Sequence, residues 1–224
     1  ITGTPTLPST FGNAYQSGYQ MVSGYIVGPY ANLSGADLSG ADLSGLDISG
    51  AKLDLTAANL TGADLSGADL SGTDLYLADF TGADLTGADF TGASLTGTIF
   101  ISTILSGANL SNTRVNGTDF TGADLTGVIS SNIKFTPTLP SGYQMISRYI
   151  VGPGVDLTGA DLSGVDLSGA DLTGVISGNI TGTPTLPSGY QIISGYIVGP
   201  GANFSNADLT GVDLSGTDLT SANL

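Results

Sequence analysis

A five-residue pattern, Ala-Asp-Leu-(Ser/Thr)-Gly, recurs through most of this chain and constrains its fold more than any other feature. Two consecutive copies occupy residues 63–72 without a single deviation. On an α-helix, a residue repeated every fifth position advances by about 140° each time, so the leucines would spread around the whole helix. The period therefore excludes an amphipathic helix.

An extended unit satisfies the same pattern. Successive side chains of extended backbone point to opposite faces, so we expect Ala63 and Leu65 inside and Asp64 outside. The Ser/Thr-Gly pair then forms a corner, because glycine accepts a positive φ and a Ser or Thr hydroxyl bonds to nearby backbone. The pattern predicts an all-β chain of short extended segments and corners.

These units resemble the A-(D/N)-L-x-x repeats of the pentapeptide repeat proteins, over residues 31–125, 155–172 and 202–224. The resemblance implies the family's right-handed quadrilateral parallel β-helix, with four pentapeptides per coil and Leu or Phe at the central inward position. Phe80, Phe100 and Phe120 are twenty residues apart and are expected to stack on one inner edge, whereas Phe90 departs from that spacing. We expect one continuous domain over residues 1–224, with about nine to ten coils.

The register of the repeat shifts once. Central residues follow every five positions up to Leu53, and the next is Leu60, seven residues later. We interpret the shift as two extra residues, Thr56 and Ala57, that bulge at a corner. Asp54 is then the one aspartate outside the usual outward position.

A different phrase, Gly-Tyr-Gln…Tyr-Ile-Val-Gly-Pro, occurs at residues 18–29, 142–153 and 189–200. Its last Ile also lies seven residues before the next central residue, so we interpret the phrase as degenerate units with Ile192 and Ile197 inward. Degenerate, loop-bearing coils would then cover residues 1–30, 128–154 and 175–201.

A proline-containing segment precedes each copy of this phrase, at 4–8, 136–140 and 183–187. Because proline has no N–H, we expect these segments to protrude from corners as short loops.

Composition excludes several functions. The chain has no Cys, no His and a net charge of −15, with four basic residues against nineteen acidic ones. Nucleic-acid binding through phosphate contacts requires clustered Lys and Arg, and thiolate metal sites require Cys. No twenty-residue apolar run is present, so we predict no membrane insertion. The Lys-poor, Gly/Ser/Thr-rich composition favours an extracellular or cell-surface location.

The aspartates stack in ladders if coils repeat every twenty residues. Repulsion between like charges would then raise some carboxylate pKa values. Three interpretations of these ladders compete: a solvated face that limits aggregation, Ca²⁺ binding, and mimicry of DNA charge, which the family's gyrase-protecting members permit. No EF-hand, phosphate loop or distinct acid–base pair is present, so we predict no enzyme activity, no catalytic residue, no dedicated metal site and no cofactor.

Apolar residues interrupt the outward polarity in one place. Ile99 and Ile104 stand where Asp is usual, Ile101 replaces Ser or Thr, and Tyr76 and Leu77 replace a Ser-Gly corner. Neighbouring exposed apolar groups mark an interface, and a loop folded over them is the alternative.

Two tyrosines in the repeated phrase are further candidates. Tyr149 and Tyr196 precede Ile150 and Ile197, and would point outward as a carbohydrate-contacting or intermolecular strip. Packing beneath the proline segments is the alternative explanation.

The two ends suggest assembly. Ile1 enters in mid-repeat and Leu224 stops on a central residue, so we expect both to expose a core cross-section that end-to-end stacking would bury. We predict a structural subunit of an extracellular filament, sheath or surface stalk, with itself as partner. The alternatives are a monomeric module that binds protein or glycan through Tyr/Pro loops, a DNA mimic acting on a topoisomerase, and, more remotely, an ice-binding surface.

Overall fold

The computed structural model describes residues 20–28, 31–46 and 53–224, and Ile1 and the proline segment at 4–8 lie outside this part. The described chain is all-β and contains no helix. Its six strands are β1 Gln20–Val22, β2 Tyr25–Val27, β3 Gln144–Ile146, β4 Tyr149–Val151, β5 Gln191–Ile193 and β6 Tyr196–Val198. The pentapeptides outside these strands pair through single parallel bridges.

In the regular coils between Asp54 and Lys134 the bridges join residues twenty positions apart, as four units per coil require. The first face, for example, runs Asp74 to Ser94, Ser94 to Arg114 and Arg114 to Lys134. Three further ladders follow in chain order: the second face carries Asp79, Ile99, Asp119 and Thr138, the third carries Asp84, Ile104 and Asp124, and the fourth carries Asp89, Asn109, Ile129 and Asp156.

Each unit folds as its sequence predicts. Ala63 and Leu65 are buried and Asp64 is exposed. The corner closes when the Ala68 N–H donates to the Leu65 carbonyl at 3.0 Å, with Gly67 at a φ of 66°. An L-residue is disfavoured at that φ, which explains the glycine.

Phenylalanines fill the centre of the core. The rings of Phe80 and Phe100 stack at 5.1 Å, and those of Phe100 and Phe120 do the same, which confirms the expected stack. Phe90 packs edge-on against Phe80 and Phe100, with interplanar angles of 88° and 85°. Both arrangements are favourable for aromatic rings.

The register shift lies elsewhere than predicted. Thr56 and Ala57 form an ordinary corner, in which the Ala58 N–H donates to the Leu55 carbonyl at 3.0 Å, so the bulge assigned to them was wrong. Leu53 occupies the position that Ala usually holds, and Asp54 is a normal ladder residue that bridges both Asn32 and Asp74.

The two extra residues lie between Leu46 and Leu53, where residues 47–52 are outside the described part. The bridges that cross this stretch span 22 residues instead of twenty: Asn32 to Asp54, Asp37 to Asn59, and Asp42 to Asp64.

The repeated Tyr phrases are antiparallel hairpins, so their interpretation as degenerate parallel units was wrong. Strands β3 and β4 pair Met145 with Ile150, and β5 and β6 pair Ile192 with Ile197. Strands β1 and β2 pair in the same way. Ile197 is buried as expected, whereas Ile192 is only half-buried.

The later two hairpins divide the apolar core. Ile150 packs with the core of the preceding coils and Val151 with that of the following coils, and neither is accessible to solvent. Ile197 and Val198 separate the next two parts of the core in the same way. Because successive strand residues face opposite sides, β4 and β6 must lie across the interior with core on both sides.

The proline segments at 136–140 and 183–187 take part in the ladder, so the expectation that they protrude was wrong. The Thr138 N–H donates to the Thr118 carbonyl at 2.9 Å, and the Thr138 carbonyl accepts from Phe120. Thr185 makes the equivalent bonds to Val165 and Leu167. The prolines are tolerated because the ladder bonds use the N–H of the threonine between them.

A tyrosine anchors each of these hairpins. The Tyr143 hydroxyl donates to the Pro153 carbonyl at 2.8 Å, and its ring lies on Gly152 so closely that a Cβ there would overlap ring carbons. Tyr190 bonds to Pro200 and covers Gly199 in the same manner.

The aspartates act locally as corner caps. The carboxylate of Asp84 accepts the hydroxyl of Thr86 at 2.6 Å and its N–H at 2.9 Å. These bonds lower the pKa of Asp84, and equivalent bonds from the Ser or Thr two residues on lower the pKa of Asp42, Asp161, Asp166, Asp208, Asp213 and Asp218. The expectation of raised carboxylate pKa values was wrong for these residues, because donors to the charged form outweigh ladder repulsion.

We expect Gly199→Ala to destabilise the fold by about 1–3 kcal/mol, because the new methyl group must displace the Tyr190 ring. Gly169→Ala is the matched control, since a Cβ at Gly169 meets no atom within 4 Å. Thermal unfolding followed by circular dichroism compares the two variants. Equal midpoints would contradict the packing of Tyr190 on Gly199.

We expect acid to destabilise the protein. The lowered pKa of the capping carboxyls means that their stabilisation is complete above the usual value of 3.8 and is lost as the pH falls through the folded-state pKa. Melting temperatures measured from neutral pH to well below 3.8 should therefore drop only at the acidic end. Asp84→Asn keeps an acceptor for Thr86, so at neutral pH it should lower the melting temperature less than Asp84→Ala does. A melting temperature of the unaltered protein that rises in acid would refute the capping role.

Candidate interaction surface

Exposed apolar side chains form a patch around the second face. Tyr76 and Leu77 stand on the edge between the first and second faces, with 49% of Leu77 exposed. Ile101 lies on the edge between the second and third faces, and Ile104 lies on the third face with 43% exposed. Ile99, on the second face between these edges, is half-buried.

These five residues belong to adjacent coils. The Leu77 N–H donates to the Thr96 carbonyl at 3.1 Å, and the Ile101 carbonyl accepts from Gly82 at 3.0 Å, so the two coils are directly hydrogen-bonded at both edges. The structure thus places Tyr76, Leu77, Ile99, Ile101 and Ile104, the apolar interruptions that the sequence singled out, on two hydrogen-bonded coils.

The patch keeps the backbone of an ordinary corner. The Tyr76 N–H donates to the Asp74 carboxylate at 3.1 Å, as Ser and Thr do at other corners. Leu77 takes the glycine position with a φ of 60°, and its side chain lies over Gly97 of the next coil. Only the side chains differ from the polar repeat.

The other candidate residues do not join this patch. Tyr149 and Tyr196 are half-buried, and their hydroxyls donate to the carbonyls of Asp161 and Asp208 at 3.4 and 3.1 Å, which ties each hairpin to the next coil. Leu224 is 76% exposed in the last coil. Ile1 lies outside the described residues.

The sequence did not single out a cluster of basic residues. Arg114 and Lys134 are ladder neighbours on the first face. Arg148, in the turn between β3 and β4, lies beside them because its carbonyl accepts the Ile133 N–H at 3.0 Å. The fourth basic residue, Lys52, is outside the described part. The twenty-residue spacing of Arg114 and Lys134 was a visible signal, whereas the position of Arg148 depends on the hairpin.

A cleft lies beside this cluster. It encloses about 480 Å³ and is lined by Ile133, Lys134, Phe135, Thr136, Met145 and Arg148. Phe135 is 62% exposed, and the Arg148 guanidinium donates to the Asn132 side-chain carbonyl at 2.9 Å. The cleft therefore combines positive charge with an apolar surface in an otherwise acidic protein.

The hairpin tyrosines are neutral donors. Burial, followed by the charges of Asp124 and Asp171, raises the pKa of Tyr143 above its usual value. Burial also raises the pKa of Tyr190. Both hydroxyls therefore stay protonated and remain bonded to backbone carbonyls.

The described residues form neither a cluster of metal ligands nor a membrane-spanning helix. They contain no group of three His, Cys, Asp or Glu side chains placed to hold a metal ion. Nor does any helix within the described ranges have the length and apolar character needed to cross a membrane.

Comparison with solved structures gives several pentapeptide repeat proteins. One from the Arabidopsis thaliana thylakoid lumen is 42% identical over 43% of this chain and 66% of its own length, with a TM-score of 0.41. HetL, involved in heterocyst differentiation regulation in the cyanobacterium Nostoc, is 30% identical over 71% of this chain and 76% of its own, with a TM-score of 0.45. QnrB1, a plasmid-mediated fluoroquinolone resistance protein, is 22% identical over 68% of this chain and 90% of its own, with a TM-score of 0.33.

Family assignment rests on the sequence pattern. None of the curated proteins matches the chain. The family model for pentapeptide repeats matches eight copies, at residues 30–56, 54–92, 88–127, 153–176 and 200–224, which together cover more than half of the chain. Proteins with these repeats form right-handed quadrilateral β-helices and are generally non-enzymatic structural or protein-interaction proteins. This chain belongs to the pentapeptide repeat family.

Proposed function

We propose that this protein is a non-enzymatic structural repeat protein that assembles with copies of itself, in an extracellular or cell-surface setting. The apolar patch of Tyr76, Leu77, Ile99, Ile101 and Ile104 carries this proposal. There, adjacent coils replace outward Asp, Ser, Thr and Gly by large apolar side chains.

The energetics of the patch favour a protein contact. Fully burying an aliphatic side chain of this size contributes about 1.5–3 kcal/mol. Ile104 occupies a ladder position that Asp84 and Asp124 hold on either side, so an Asp is compatible with the fold there. An exposed Ile at such a position gives the isolated coil nothing, whereas a protein partner would bury it.

Enzyme activity is not supported by the residues present. The chain has no His, Cys or Glu, and the described carboxyl groups with resolved pKa shifts have a lowered pKa, because neighbouring hydroxyl and N–H groups donate hydrogen bonds to them. A general acid or base requires a pKa near the working pH.

End-to-end stacking into a filament, sheath or stalk is a second candidate. In the last coil Leu209, Leu214 and Leu219 are half-buried, whereas Leu162, Leu167 and Leu172, 47 residues earlier, are buried beneath the coil that follows them. A coil of a second copy, or further residues of a longer chain, would complete this burial.

The remaining alternatives have less support. The hydroxyls of Tyr149 and Tyr196 bond to the protein's own backbone, which weakens a glycan-binding strip built on them. A topoisomerase-directed DNA mimic rests on the acidic composition alone.

Self-assembly through the patch predicts that Ile101→Thr/Ile104→Asp weakens association at least tenfold, because about 1.4 kcal/mol of lost burial corresponds to that factor. Sedimentation velocity over a dilution series measures the effect. Ile129→Asp is the matched control, since Ile129 is equally exposed but lies on the fourth face.

A protein that stays monomeric at every concentration would contradict the self-assembly proposal. So would equal weakening by the Ile129 control, which would show a general charge effect instead of a contact at the patch. Electron microscopy of the same samples tests the second candidate: stacking gives rods that lengthen with concentration, with an axial repeat of about 4.8 Å, and rods of constant length would contradict it.

A further inference from the structure

Three bulky residues adopt a left-handed backbone around the first face of the solenoid, Leu77 and Phe135 on its edge with the second face and Arg148 beside the Asn132 corner on its other edge. Most non-glycine residues with positive φ in the described part are Ser, Asn or Ala. The exceptions are Leu77, Phe135 and Arg148, with φ of 60°, 71° and 71°. Large side chains are disfavoured at such angles, and strain of this kind clusters where it serves a function.

An equivalent coil later in the chain shows that the fold does not require the side chains of Phe135 and Arg148. The sequence from Ile133 recurs 47 residues later from Ile180, with the same hairpin and the same tyrosine anchor. There, glycines with φ of 84° and 81° replace Phe135 and Arg148. Two more of the six cleft residues also differ in the later coil. The four positions that differ are Phe135 and Gly182, Arg148 and Gly195, Lys134 and Thr181, and Met145 and Ile192.

Leu77 stands on the same edge as Phe135. The ladder of the first face runs without interruption from Asp74 to Lys134, so the Tyr76–Leu77 corner and the cleft are three coil spacings, or about 14 Å, apart. The intervening corners carry Gly97 and Gly117, which add no side chain to the edge between them.

The two ends of this edge are chemically complementary. Tyr76 and Leu77 are exposed between the outward Asp74 and Asp79. The cleft beside Phe135 is instead flanked by Lys134 and Arg148. One end is therefore apolar and acidic, and the other is apolar and basic.

We propose that this edge pairs with the same edge of a second copy in antiparallel orientation, so that Tyr76 and Leu77 of each copy enter the Phe135 cleft of the other. A two-fold axis between Gly97 and Gly117 exchanges the two ends, so each contact occurs twice, as in any isologous dimer. The Leu77 side chain lies over Gly97, toward this axis, and Gly117 adds no side chain on the other side of it. The proposal rests on the self-assembly proposed above, and it identifies the contact and its symmetry.

The test uses the glycines of the later coil as substitutions. Phe135→Gly/Arg148→Gly removes the aromatic ring and one cation and also relieves the strained φ values. We expect this variant to melt at the same or a higher temperature than the unaltered protein, and its dimer dissociation constant in sedimentation equilibrium to rise at least tenfold. Thr181→Asp, at the equivalent position of the later coil, is the control for Lys134→Asp and should leave dimerisation unchanged.

Charge reversal tests the two-fold arrangement. Lys134→Asp and Asp74→Lys should each weaken dimerisation, because both residues lie on the first face, which the two-fold axis sets beside the first face of the other copy, and each substitution places like charges at both contacts. In an equimolar mixture of the two variants, the heterodimer has opposite charges at both contacts, so dimerisation should return. A mixture as weak as its components would overturn the antiparallel pairing.

The outcomes separate this proposal from the previous one. If Ile101→Thr/Ile104→Asp abolishes association but Phe135→Gly/Arg148→Gly does not, the chain self-assembles and the edge pairing is overturned. If only the Phe135 and Arg148 substitutions weaken association, the edge pairing is supported and the contact at Ile101 and Ile104 is overturned. A protein that is monomeric under all conditions overturns both.

Discussion

Parallel backbone hydrogen bonds between coils are the interaction on which the rest of the structure depends. Each unit makes ladder bonds to the coil before it and the coil after it, as when the Asp84 N–H donates to Ala63 and the Leu85 N–H donates to Ile104. Because these bonds use backbone atoms, outward side chains vary without altering the ladder, and Asp84 faces Ile104 as readily as Ser94 faces Arg114. The inward positions have no such freedom, since each must stack on the coil beneath it.

This division of roles explains where function is placed. The ladder tolerates an Ile, a Lys or an Arg at outward positions, and the corners tolerate Leu77 and Phe135 at the cost of backbone strain. The hairpins add a second source of variation. The turn between β3 and β4 brings Arg148 against Ile133, although the regular repeat pairs only residues about twenty positions apart. The proposed contacts lie where these departures from the repeat coincide.

The regular coils could be predicted from the sequence because one period governs both burial and pairing. Ala63, Leu65 and the Phe80, Phe100 and Phe120 stack follow from it directly. The hairpins could not be found by period alone, since their seven-residue spacing also fitted a shifted coil. A usable signal was present: Ser23-Gly24 and Ser194-Gly195 are two-residue turns between Ile- and Val-rich strands. The basic cleft was missed because it exists only once β3 and β4 fold back.

Cysteine cross-linking tests the central claim, that a hairpin interrupts an otherwise continuous ladder. The chain has no native Cys, and bridged residues lie within the Cα separation that a disulfide spans. Ile129 pairs with Asp156, 27 residues on, whereas an uninterrupted coil would place Tyr149 beside it. We predict that Ile129→Cys/Asp156→Cys forms a disulfide under mild oxidation and that Ile129→Cys/Tyr149→Cys does not; the reverse result would contradict the account.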